Sequence, residues 1–151
     1  MRLEVCFICR KHASAEAAAG VVYEDESVIA SLMAAGAGEH RAYMGYVMLE
    51  SKRHVPGLGD LSEREAGAVG MAMNRISAAL REGLQAEHVY SFVQGDGVPH
   101  FHMHLVPRYP GTPVKYWHPT HILQWTEAPR GGFGELEGIR GRIRDALGRR
   151  S

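Results

Sequence analysis

The chain has 151 residues, with 17 Lys and Arg balanced by 17 Asp and Glu, nine His and two Cys. This length fits one domain that buries its own core without cross-links, and two cysteines make no disulfide framework. Zero net charge excludes a general nucleic-acid binder, and no apolar run approaches the ~20 residues of a membrane span. Met1-Arg2-Leu3-Glu4-Val5 has neither a signal-peptide core nor a Gly at position 2, so a cytoplasmic protein is expected.

Residues 20–24 and 28–32 read as two short strands, joined by a turn at Asp25-Glu26-Ser27. Residues 34–38, all Ala or Gly, read as a loop, and the apolar run 43–49 as a buried third strand. The clearest helix spans 61–84. Ser62 and Glu65 fit a capping box, and Ala66, Val69, Met73, Ile76, Leu80 and Leu84 form one apolar stripe at three- and four-residue steps. Two further strands, 89–94 and 101–106, flank Gly95-Asp96-Gly97-Val98-Pro99. Residues 108–134 hold four of the seven prolines and little periodicity. An ordered, irregular surface segment that buries Tyr116, Trp117 and Trp125 is expected there. A last helix, 135–147, places Leu136, Ile139, Ile143 and Leu147 on one face, and Arg140, Arg142, Arg144, Arg149 and Arg150 make its end basic. Such cations suit a helix C-terminus. An antiparallel sheet carrying one long helix and one C-terminal helix is an α+β fold.

His100-Phe101-His102-Met103-His104-Leu105-Val106 is the most informative segment. Side chains alternate faces along a strand. His100, His102 and His104 therefore share one face, while Phe101, Met103 and Leu105 point to the core. Three imidazoles in a row have no packing rationale, because each titrates near pH 6.5 and protonation of one opposes the next. Two chemistries use such a row. The histidines bind a metal, or one imidazole attacks phosphorus while its neighbours bind and orient. The spacing does not choose between them.

The segment resembles the motif His-φ-His-φ-His-φ-φ, with φ apolar, of the histidine triad (HIT) family, and Pro107-Arg108 matches its common continuation. Upstream, Cys6-Phe7-Ile8-Cys9 is similar to the opening of many bacterial members. Val22-Tyr23-Glu24-Asp25 resembles the early hairpin, residues 45–54 the strand and turn ending in Lys-x-His, and Leu58-Gly59-Asp60-Leu61-Ser62 the approach to the helix. The match covers roughly residues 5–108, which suggests a HIT domain at 1–110 and an extension at 111–151 packed on it.

The resemblance implies a five-stranded α+β domain, usually a homodimer, acting on nucleoside phosphates such as dinucleoside polyphosphates or nucleoside phosphoramidates. His102 would attack the α-phosphorus and form a nucleotidyl-imidazole intermediate. One ring nitrogen must be free for attack while the other donates to a fixed acceptor. The family suggests the His100 carbonyl as that acceptor. His104 would hydrogen-bond the phosphate or the leaving group, and backbone N–H groups of Gly95, Asp96 and Gly97 would meet the phosphoryl oxygens.

Cys6-x-x-Cys9 alone is a redox pair, half a zinc site, or two buried small residues. Tetrahedral zinc needs two more ligands, with His54 and His100 the candidates. The resemblance to zinc-carrying HIT proteins and galactose-1-phosphate uridylyltransferases supports a structural zinc on Cys6, Cys9, His54 and His100. In the metal-free alternative, His100 only orients its neighbour.

Several positions depart from the family's pattern. Gly45-Tyr46 stands for Gly-His, Ser51 for Pro, and Met33 for the Asp that binds ribose hydroxyls, with Glu39 the nearest acid. Asp96 occupies a position often Gln or Asn, where it either faces phosphate or caps the loop. Trp117 and Trp125 are expected to cover the core rather than stack a base. His118 and His121 read as surface residues, and His12, His40 and His88 have no role. Two other readings compete with nucleotidyl transfer: a hydrolase with a catalytic metal on the three histidines, and a nucleotide sensor or interaction protein with little catalysis.

Overall fold

The computed structural model describes residues 6–34 and 41–150. The N-terminal pentapeptide, most of the Ala/Gly loop, Glu39 and His40 lie outside the described residues. In chain order the elements are α1 (Phe7–His12), α2 (Ala15–Gly20), β1 (Val21–Glu24), β2 (Val28–Leu32), β3 (Ala42–Tyr43), β4 (Val47–Ser51), α3 (Glu63–Leu84), β5 (His88–Phe92), β6 (His102–Arg108), β7 (Arg130–Gly131) and α4 (Phe133–Gly148). Five strands form one antiparallel sheet in the order β1-β2-β4-β6-β5, and β3 pairs with β7 in a small ribbon. The α+β class, the five-stranded sheet and both helices are as expected.

One face of the sheet is the core. Val28, Ala30, Val47, Leu49 and Leu105 pack on Val69, Ala72, Ile76 and Leu80 of α3. Period-two alternation then leaves Ile29, Ser31, Met48, Glu50, His102 and His104 on the opposite face. The register sets this face in two rows: Ile29, Glu50 and His102 lie side by side, and next to them Ser31, Met48 and His104. Helix α3 starts where the capping box places it. Ser62 Oγ accepts from the Glu65 N–H, and Glu65 Oε2 accepts from the Ser62 N–H at 2.8 Å. α4 lies on α3 through Ile139, Ile143 and Ala146. Gly83 permits this approach, since a Cβ there would stand 2.9 Å from the Arg142 carbonyl oxygen.

Three expectations are corrected. The run 43–49 is not one strand: it breaks at Gly45, whose φ is +81°. A Cβ at Gly45 would meet Tyr109 Oη at 2.6 Å and Leu84 Cδ1 at 2.8 Å, so the chain turns there against two large side chains, and the apolar pattern of the run hides the turn. Residues 7–19, for which the sequence suggests no element, and Gly20, read as the start of the first strand, hold two short helices. Trp117 is not buried but 47% exposed. Its ring is covered on one side by the Arg108 guanidinium, 3.8 Å from the ring centre, and its Nε1 donates to the Thr112 carbonyl. Trp125 does pack into a second small core with Tyr43, Val106 and Ile122.

Candidate active site and metal centre

The three histidines take three environments. His102 and His104 project from β6 on the open face of the sheet, whereas His100 precedes the strand and is fully buried. His102 Nδ1 donates to the His100 carbonyl oxygen at 2.7 Å. A carbonyl only accepts, so the proton of neutral His102 sits on Nδ1 and Nε2 keeps its lone pair. This is the tautomer a nucleophile needs.

His104 is held from two sides. Phe92 of β5, its cross-strand partner, stacks on it with ring centres 4.5 Å apart and an interplanar angle of 8°. Tyr46 Oη stands 2.6 Å from His104 Nδ1. Burial, reinforced by the neighbouring His102, lowers the His104 pKa to about 4, and burial raises that of the Tyr46 phenol. Both groups are therefore neutral near pH 7 and share one hydrogen bond.

His102 opens onto a cavity of about 860 Å³, within the size range of small-molecule sites. Ser31, Met33, Met48 and Glu50 line it from the sheet, and Phe133 and Arg140 line it from α4. Glu50, opposite His102 in register, is 2% exposed. Its two oxygens take Lys11 Nζ at 2.5 Å and His12 Nε2 at 2.8 Å. Burial pushes the Glu50 pKa up, but the His12 hydrogen bond and the Lys11 charge outweigh it, and the carboxyl stays below its ordinary value. The Ser31 hydroxyl is buried in the same wall without a hydrogen-bond partner among the described residues.

Cys6, Cys9, His54 and His100 converge below the base of β6, all four donor atoms lying within 4.8 Å of one another. Cys6 Sγ and Cys9 Sγ are each 3.4 Å from His100 Nδ1, Cys9 Sγ is 3.4 Å from His54 Nδ1, and the two Nδ1 atoms are 3.2 Å apart. Bonds of 2.0–2.1 Å to nitrogen and 2.3 Å to sulfur at tetrahedral angles require roughly 3.3 Å between nitrogens and roughly 3.6 Å between sulfur and nitrogen. The separations fit. So does the protonation of His100: its Nε2 donates to the Ser51 carbonyl at 2.7 Å, leaving Nδ1 without a proton and free to bind metal. The donor set is that of a closed, structural zinc site, with all four positions supplied by the protein.

Of the residues expected at the site, the fold brings Cys6, Cys9, His54 and His100 together and sets His102 and His104 side by side, ring centres 5.4 Å apart. Gly95, Asp96 and Gly97 lie in the loop between β5 and β6, and Asp96 is exposed and caps nothing among the described residues. Val98 of that loop lines the cavity. The Lys11–His12–Glu50 cluster is not legible in the sequence, which suggests no role for His12. The available signal was a lone carboxylate at 50, two residues from Met48 and so on the same strand face.

Comparison with known proteins agrees with this geometry. The HIT domain family model matches residues 14–111. A curated relative, the protein named hit of Bacillus subtilis, is 28% identical over 111 residues, 70% of this chain and 72% of its own length. Among solved structures, a zinc-bound histidine triad family protein of Mycobacterium smegmatis superposes with a TM-score of 0.68 at 22% identity, covering 98% of this chain and 96% of that one. A Hit-like protein of Bartonella henselae, crystallised with an unknown ligand, gives 0.62 at 22% identity over 84% and 85% of the two chains. An α+β sheet with two histidines on its open face, and a third turned back toward a Cys2His2 cluster, is the frame of a histidine triad protein. The chain belongs to the HIT domain family.

Proposed function

We propose that the protein transfers a nucleotidyl group through His102, hydrolysing a nucleoside phosphoanhydride or phosphoramidate. The observation that carries this reading is the 2.7 Å bond from His102 Nδ1 to the His100 carbonyl beside an open cavity. It leaves Nε2 unprotonated and facing space large enough for a nucleotide. In the first step Nε2 attacks the α-phosphorus, and the bond to the leaving group breaks with its electron pair on that group. In the second, water displaces His102. His104 Nε2–H is the side-chain donor beside the reacting centre, and backbone N–H groups of Gly95, Asp96 and Gly97 are the proposed contacts to phosphoryl oxygens.

Cys6, Cys9, His54 and His100 would hold zinc, which when bound ties the N-terminal segment to the base of β6. His100 then has two duties: its ring joins the metal set and its carbonyl fixes the nucleophile's tautomer. A metal hydrolase built on the three histidines loses its ligand set, because the His100 ring turns to the cysteines and His102 Nδ1 is engaged by a carbonyl. Family membership supports a homodimer. The packing of α4 on α3 supports reading 111–151 as an extension of a domain at 1–110.

The test is His102→Ala against wild type on a panel of dinucleoside polyphosphates and nucleoside phosphoramidates. The variant should lose at least 10³-fold in turnover with metal content and melting temperature unchanged. Wild-type protein quenched under alkaline denaturing conditions should show the mass of a nucleotidyl adduct on the peptide carrying His102. Full activity in the variant would refute the reading. Tight nucleotide binding with neither turnover nor adduct would instead identify a nucleotide sensor.

A further inference from the structure

The Tyr46 hydroxyl makes one side-chain hydrogen bond among the described residues, with His104 Nδ1 at 2.6 Å. Three features fix what this contact does. Tyr46 is half-buried, in the turn leading into β4. Phe92 covers one face of the His104 ring and keeps it in plane. Among the described residues, the titratable groups facing His104 are Tyr46, from that turn, and His102, on its own strand. Glu50, the nearest carboxylate on β4, lies in the neighbouring row opposite His102, with both oxygens occupied by Lys11 and His12. An imidazolium at 104 would thus have no anionic partner among the described residues and a histidine beside it.

A phenol that donates to Nδ1 leaves the proton of neutral His104 on Nε2. We infer that Tyr46 is a positioning residue that locks His104 as a neutral Nε2–H donor, and that the site consequently prefers leaving groups departing as phosphate-type oxyanions over amines. The inference rests on the proposed nucleotidyl transfer at His102. With an anhydride substrate, the His102 Nε2–P bond forms, the P–O bond breaks, and the electron pair stays on a phosphate oxygen that is stable as an anion; no proton has to move. His104 Nε2–H needs only to hydrogen-bond the departing oxygen. With an alkylamine phosphoramidate, the pair falls on nitrogen, which must take up a proton. A neutral imidazole N–H locked by Tyr46 does not supply one.

Two measurements on the full-length, metal-loaded protein test this. The first is the 15N spectrum of the imidazoles with pH. His104 should show a bare Nδ1 and a protonated Nε2 throughout the range around neutrality, and Tyr46→Phe should release a mixture of tautomers. A wild-type His104 protonated on Nδ1, or titrating near the ordinary value of 6.5, overturns the inference whatever the enzyme turns over. The second compares nucleoside 5′-diphosphates with matched nucleoside 5′-alkylphosphoramidates across four bases. The anhydride should lead in kcat/KM by about 10²-fold or more, the contribution a missing general acid removes. Tyr46→Phe should narrow that ratio by about tenfold, chiefly by lowering kcat on the anhydride while KM changes little. Equal use of both leaving groups by a wild-type enzyme that forms the His102 adduct overturns the leaving-group rule alone. If no substrate forms the adduct, nucleotidyl transfer falls and the rule falls with it.

Discussion

At Glu50 a carboxylate is 2% exposed, yet its pKa lies below the ordinary value because His12 and Lys11 close on it. A depressed carboxyl contributes stability above its unfolded pKa of about 4.3 and loses it as pH falls through the lower folded value. Glu50→Gln should therefore destabilise at pH 7, by about 1–3 kcal/mol for the charged hydrogen bonds, and flatten the acid limb below about pH 4.5 in urea titrations. His104 acts in the window above. Its folded pKa is about 4, while unfolded histidine protonates near 6.5. Between these values the unfolded chain binds the extra proton, so this group's stability is intact above pH 6.5 and declines toward pH 4. Comparing urea midpoints at pH 5 and pH 7, His104→Gln should show a smaller difference than wild type. At this scale the sequence was informative where chemistry is local. The triad and Cys6-x-x-Cys9 are legible as local motifs and His54 through the family resemblance, whereas Lys11 and His12 are separated from Glu50 by nearly forty residues and meet it only in the folded chain.

Among the elements, α3 was legible almost to the residue, because a 22-residue amphipathic stripe with a reciprocal cap states both its face and its start. Ser62→Ala should lower stability by about 1 kcal/mol, read from the denaturation midpoint. The run 43–49 reads as one strand in the sequence because its apolar pattern does not register a turn made by one glycine at φ +81°. Gly45→Ala combines a left-handed backbone with contacts under 3 Å to Tyr109 and Leu84. Its cost should exceed 2 kcal/mol, more than an ordinary core overpacking at its low end, and a melting curve measures it. α1 and α2 escaped because helices of six residues are too short for periodicity and too short to be stable alone. They persist through tertiary contacts, Ile8 being 4% exposed.

For the whole molecule, the Cys2His2 cluster joins the N-terminal segment, the turn after β4 and the base of β6, three regions distant in the chain. Removing zinc with a chelator should lower the melting temperature and weaken turnover together, because the His100 carbonyl that orients His102 hangs on the same residue as a metal ligand. Cys9→Ala should reproduce both losses, with zinc content by elemental analysis falling from one per chain. Among the described residues no helix is long and apolar enough to cross a membrane, and the cavity beside His102 is walled by both ends of the chain, from α1 to α4.

The sequence by itself determined the elements with strong periodicity and the sheet face that His102 and His104 share, because alternation along a strand is a property of neighbouring residues; the set of four zinc-type donors came from the family resemblance. Only the tertiary structure decided the tautomers of His102 and His104, the burial of Glu50 and the part α4 plays in the cavity. Each of these depends on which backbone carbonyl, phenol or cation the folded chain brings within hydrogen-bond reach, and no spacing along the sequence carries that distance.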